Sequence, residues 1–198
     1  MAVGGAEALV PELALGHAVV VAGAVRDEGT SFHYAPASRA IDADGPGVQA
    51  AQEALTRAEL PFTIGRTWTT DAFYQETRRR VQRRMDEGCV TVEMEASALI
   101  AVARYRKVRY AHLLYAGDSL AATDWDHRGW ATAETIREGM FNVAADACLS
   151  LDAAGKCAVG LVKHPRRPVV VEADRREGFG AAHIDRAHEH ARPEIDQS

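Results

Sequence analysis

The chain has 198 residues, 47% hydrophobic and 26% charged, with a formal net charge of −5. That is the size and balance of one soluble globular domain with a core of its own, and the acidic balance argues against a nucleic-acid binder, which needs a basic face. No apolar run approaches the roughly 18 residues that span a bilayer. The Met1–Gly5 start lacks the basic and apolar regions of a secretory signal, and Cys89, Cys148 and Cys157 show neither CxxC spacing nor an even count. A cytoplasmic protein without a disulfide framework or zinc site is expected.

Residues 1–16 combine glycines with the turn-like Pro11-Glu12-Leu13-Ala14-Leu15-Gly16. His17–Val25 is rich in β-branched residues and predicts a strand buried on both faces; Arg26–Tyr34 is polar. Gly45-Pro46-Gly47 then breaks the chain before a helix over about 48–59, with Val48, Ala51, Leu55 and Ala58 sharing one face. Pro61–Thr69 predicts a second strand. Thr70–Tyr74 predicts a loop leading into a basic helix over 75–87, whose Arg78, Arg79, Arg80, Arg83 and Arg84 read as a solvated face.

Gly88–Val92 predicts a short strand, Met94–Arg106 an apolar helix, and Val108–Tyr115 a strand running into Ala116-Gly117-Asp118-Ser119. After a polar loop with Trp125 and Trp130, a last helix over about 133–151 places Ile136, Met140, Val143 and Ala147 in one stripe. Strands alternating with helices predict a single three-layer α/β/α domain over residues 1–152, with a mixed, mostly parallel central sheet. Ligands of such sheets gather at the carboxyl ends of strands. Residues 153–198 mix prolines, histidines and charges of both signs and predict a poorly ordered extension. His183, His188 and His190 match no metal-ligand spacing there and read as solvated.

The chemistry concentrates at Val92-Glu93-Met94-Glu95-Ala96, where two carboxylates flank a methionine between a buried strand and an apolar helix. Stabilising the helix N-terminus accounts for one glutamate. A second charge against such a helix calls for a partner. A ligand with adjacent hydroxyls supplies one, donating two hydrogen bonds to a carboxylate while the methionine packs on the apolar face of a sugar.

Val92-Glu93-Met94-Glu95-Ala96-Ser97-Ala98-Leu99 resembles the V-E-M-E-A-A-A-L signature of the nucleoside phosphorylase-I superfamily. Val25–Tyr34 resembles the segment after the fifth strand of uridine-phosphorylase-like members, and Thr70-Asp71-Ala72-Phe73-Tyr74 is similar to the family's base-pocket loop. The resemblance implies that Glu95 holds the ribose 2′- and 3′-hydroxyls, Met94 packs on the sugar, Glu93 shapes the same pocket and Phe73 stacks on the base. Gln75 and Arg78 stand near where pyrimidine-specific members read uracil. Asp118 stands where purine-specific members protonate the leaving base; the alternative is a simple cap after a strand.

Val3-Gly4-Gly5-Ala6-Glu7 stands where the family has a Gly-Thr-x-Gly-like turn that touches phosphate, which implies Gly5 as a phosphate contact. Glu7 replaces a glycine there, and a carboxylate repels phosphate. The family's glycine-rich loop and the arginines of its phosphate site would precede residue 1. On that expectation the sheet lacks its first strands, the chain is a truncated member, and Val19–Val21 and Leu113–Tyr115 are left uncovered.

The implied reaction is phosphorolysis of a ribonucleoside, uridine favoured, to free base and ribose 1-phosphate, impaired by the altered phosphate site. It needs inorganic phosphate as co-substrate and no metal or organic cofactor. Alternatives are a purine nucleoside phosphorylase, a nucleosidase using water, and a non-catalytic nucleoside-binding subunit. The resemblance also implies a homo-oligomer built from dimers, possible as a hexamer, with no nucleic-acid or membrane partner.

Overall fold

A computed structural model describes residues 1–122, 125–130 and 134–153. The expected extension over 153–198, with its histidines and Cys157, lies outside the described residues apart from its first position. Among the described residues six strands and four helices follow in the order β1 (Ala2–Ala8), β2 (Ala18–Asp27), β3 (Ala40–Asp42), α1 (Gly45–Arg57), β4 (Phe62–Thr70), α2 (Arg78–Asp86), β5 (Cys89–Glu93), α3 (Ala96–Arg106), β6 (His112–Ser119) and α4 (Glu134–Ala153). Short 3-10 turns span Thr30–His33 and Phe73–Gln75.

The sheet is mixed, as expected. Its longest pairings, β2–β4, β1–β6 and β4–β5, are parallel, while β1–β5, β2–β3 and β2–β6 are antiparallel. The order β3-β2-β4-β5-β1-β6 with the added β2–β6 pairing closes the sheet on itself, leaving β3 as a flap on β2. That closure corrects the expectation of uncovered strands. Val19, Val20, Val21 and Leu113 are fully buried, because β2 and β6 pair with each other.

Alternation along the strands feeds two core layers. Val19, Val21, Leu114 and Ala116 pack with Ile100 and Ala101 of α3. Ala18, Val20, Leu113 and Tyr115 pack with Leu55 of α1 and with Met140, Val143 and Ala147 of α4, the stripe read from the sequence. A smaller cluster under α2 holds Trp68, Val81 and Val92.

Several expectations need correction. The glycine-bearing start is not a turn: β1 is an interior strand between β5 and β6. Glycine is a poor strand former, but here it makes room for a neighbour. A Cβ on Gly5 would come within 3.2 Å of the Tyr115 hydroxyl. Gly45-Pro46-Gly47 opens α1 instead of breaking the chain before it. Asp44 caps the helix by accepting from the Gly47 amide at 3.2 Å, and proline is suited to a first turn whose amides lack partners. Ala58 is exposed as the residue that ends this helix.

The last strand starts at His112, not Val108, because Lys107 takes a left-handed conformation (φ 56°) that turns the chain out of α3. The α2 arginines are not all solvated. Arg84 is buried and ion-paired at 2.8 Å to Asp27 and 3.0 Å to Glu87, with its guanidinium over the Trp68 ring. Cys89 is a buried free thiol, pushed up to about 12 by burial and by the charge of Glu87, and Cys148 is an exposed free thiol.

Candidate functional site

The ends of β1, β5 and β6 meet at one cavity of about 430 Å³. β1 runs antiparallel to β5, pairing Glu7 with Val92, and parallel to β6, pairing Gly5 with Tyr115. This weave brings segments nearly ninety residues apart to a single wall. Gly5, Phe73, Glu93, Met94, Glu95 and Asp118, singled out from the sequence, all line it. Gln75 and Arg78 do not: both are exposed, at the end of the 3-10 turn and the start of α2.

The two glutamates of the strand–helix junction divide their work. Glu93 is buried and turns inward. It accepts from the Thr69 hydroxyl at 2.7 Å and from the amides of Glu95 at 2.8 Å and Ala96 at 2.6 Å, so it caps the first turn of α3. Burial pushes its carboxyl up to about 7, against the pull of those hydrogen bonds. Thr69 in turn accepts from the Ser97 amide, and the Ser97 hydroxyl donates to the buried Glu28 at 2.7 Å. Glu28 also accepts from the Ser31 amide, which ties the 30–33 turn to α3.

Glu95, by contrast, is exposed on the cavity wall, and its carboxylate has no partner among the described residues. Met94 beside it is 43% exposed, and Phe73, which lines the same cavity, 45%. The cavity therefore presents a carboxylate, a thioether and an aromatic face to a ligand.

The cavity is also lined by Glu76, Tyr115, Gly117 and Trp130, which no sequence motif assigns to the site. Glu7 was weighed only as an obstacle to phosphate. Burial, then the charges of Glu76 and Asp118, push the Glu7 carboxyl up to about 9; burial also raises Glu76. Asp118 is buried, and its Oδ2 accepts from Trp125 Nε1 at 2.7 Å. Period-2 alternation was the available signal: Gly5 and Glu7 on β1 and Tyr115 and Gly117 on β6 each point to one face. It went unused because β1 was read as a turn. Among the described residues no cluster of histidine, cysteine and carboxylate side chains is suited to hold a metal.

Residues 1–153 match the pattern of the phosphorylase superfamily. Guanosine phosphorylase of Halorubrum lacusprofundi is 31% identical over 119 residues, 58% of this chain and 48% of that protein. A DeoD-type purine nucleoside phosphorylase of Mycoplasma genitalium is 31% identical over 124 residues, 60% of this chain and 51% of that protein. The chain thus spans about half the length of these relatives. Among solved structures, purine nucleoside phosphorylase from Toxoplasma gondii superimposes with a TM-score of 0.66 at 24% identity, covering 77% of this chain and 63% of that one. AMP nucleosidase from Bacteroides thetaiotaomicron gives 0.63 at 19% identity, covering 78% and 60%. These structural likenesses carry the fold.

Proposed function

The chain belongs to the phosphorylase superfamily, and from that premise we propose that it cleaves the N-glycosidic bond of a ribonucleoside, with a purine as the preferred base. One observation carries the reading: the Glu95 carboxylate, without a partner among the described residues, and Met94 share a cavity of about 430 Å³ with Phe73 and Asp118. In this reading Glu95 accepts from the two ribose hydroxyls, Met94 packs on the sugar, and Phe73 covers the base, whose leaving nitrogen faces the carboxyls of Glu7, Glu76 and Asp118. A transition state with oxocarbenium character needs these three services: a fixed sugar, a negative wall beside the anomeric carbon, and a proton for the departing base.

Two observations move the preference from uracil to purine. Gln75 and Arg78, the implied uracil readers, stand off the cavity wall, and the relatives above carry purine or guanosine in their names. Phosphate is the co-substrate implied by the resemblance. The lining residues include Glu7, Glu76, Glu93, Glu95 and Asp118 and, among those described, no cationic side chain. A phosphate dianion about 5 Å from one carboxylate meets roughly 3 kcal/mol of repulsion per unit of its charge at an effective dielectric near 20. That wall favours water as the second reading of the nucleophile.

Base release from inosine, guanosine, adenosine and uridine, followed by chromatography with and without phosphate, tests both levels. Purine release at least about tenfold faster than uracil release is expected. No release from any of the four would sink the proposal, and faster uracil release would sink the purine preference.

A further inference from the structure

Glu7 is the cavity residue that packing explains least. It lies on interior strand β1, whose pairing with β6 sets it beside Gly117 and Asp118, and it lines the same cavity as Asp118 and as Glu76, which precedes α2. Glu93 and Glu95 are the remaining charged groups of the cavity wall. Glu7 Oε2 is enclosed and has no hydrogen-bond partner among the described residues. Carboxyls crowded in this way retain a proton between them at neutral pH, because a second and third negative charge in one site are costly. Asp118 Oδ2 is already engaged as the acceptor of Trp125 Nε1–H, whereas the enclosed Glu7 Oε2 has no partner among the described residues and is an oxygen on which that proton can sit.

An independent feature points to a ligand in the same space. Tyr115 is nine-tenths buried and lines the cavity, and its phenol oxygen has no hydrogen-bond partner among the described residues.

We propose that Glu7 is the general acid of this site, protonating the departing base, with the neighbouring carboxyls of Asp118 and Glu76 keeping the proton on it in the resting state. The inference rests on the nucleoside-cleaving reading. As the bond between the anomeric carbon and the base nitrogen breaks, its electron pair moves onto the base, and the Glu7 proton passes to a ring nitrogen. An oxygen of water or phosphate bonds to the anomeric carbon; water then yields its surplus proton to solvent. The Glu7 carboxylate, now beside Asp118 and Glu76, is reprotonated from solvent. The upward shift of Glu7 by burial and by those two charges keeps it loaded at neutral pH.

The test compares wild type with Glu7→Gln on inosine and on 4-nitrophenyl β-D-ribofuranoside, whose leaving group departs without a proton. Glu7→Gln is expected to lose about 100-fold or more in kcat on inosine, within the usual range for general acid catalysis, and less than about fivefold on the nitrophenyl riboside. Equal losses on both substrates, or none on inosine, would overturn the assignment. Carbon-13 NMR titration of the wild-type glutamate carboxyls, with Glu7→Gln for assignment, reads the proton without turnover. A Glu7 signal titrating near about 9 is expected, and one in the ordinary carboxylate range overturns the acid role alone. Wild type inert toward both substrates sinks the nucleoside reading and the acid role together.

Discussion

Glu95→Ala separates binding from folding more cleanly than any other change in this site. The side chain is exposed and its carboxylate has no partner among the described residues, so truncation leaves no buried group unpaired. Stability should stay within about 0.5 kcal/mol of wild type. Binding is another matter. A carboxylate that accepts from two vicinal hydroxyls makes two charge-assisted hydrogen bonds, each worth about 1.5–3 kcal/mol when well shielded. Partial exposure of Glu95 puts the pair near the low end, at about 2–3 kcal/mol, or roughly 30- to 150-fold in Kd. Calorimetric titration with inosine, next to thermal melts of both proteins, measures the two quantities separately. A 2′-deoxynucleoside closes the cycle: wild type should lose about tenfold on losing one hydroxyl, and Glu95→Ala should lose nothing further. An unchanged Kd in a folded Glu95→Ala protein, or a deoxy penalty that survives the mutation, would refute the diol contact.

Arg84→Ala should cost about 2–4 kcal/mol in urea unfolding at neutral pH, because it strips a buried guanidinium from Asp27 and Glu87. Although burial works the other way, Arg84 holds Asp27 below its ordinary range; the pair's contribution is present above that ordinary range and fades as pH falls through the lowered value, so the deficit of the variant should shrink in acid. Gly47→Ala should cost about 1–3 kcal/mol by overpacking, since its Cβ would run into the Tyr110 carbonyl, a backbone atom that cannot swing aside. Thermal midpoints of wild type should fall as pH rises from about 5 to about 9, because Glu93 and Glu7, raised to about 7 and about 9, bind more protons folded than unfolded across that span. Glu7→Gln should flatten the upper part of the slope; an identical slope in the variant would contradict the raised carboxyl.

Much of this fold was legible because burial leaves a period behind. The β-branched run of β2 and the Ile136, Met140, Val143, Ala147 stripe of α4 sit where their patterns placed them. What was not legible depends on partners far away in the chain. β1 carries two glycines and reads as a turn; only the Tyr115 ring lying over Gly5 shows why small residues belong in that strand. Arg84 cannot be told from Arg83 in a basic helix until Asp27 and Trp68 arrive from other strands. The closure of the sheet, which buries Val19–Val21, depends on the β2–β6 pairing between segments about ninety residues apart, and no local pattern encodes it.

The Glu93-Met94-Glu95 junction shows how one short motif serves two ends. A helix that begins at the mouth of a cavity exposes amides needing an acceptor, and Glu93 meets them by folding inward. That capping fixes the backbone of Met94 and Glu95, so the next two side chains must face the open space. Glu95 then lines the cavity with a carboxylate that has no partner among the described residues. The cost is a buried carboxyl in Glu93 with a raised affinity for protons, in the same cavity as a second such group, Glu7, which pairs with Val92 across the β1–β5 ladder. Because five carboxyls and the apolar groups of Phe73, Met94 and Trp130 line one cavity, it suits a ligand that brings its own hydrogen-bond donors and a flat ring.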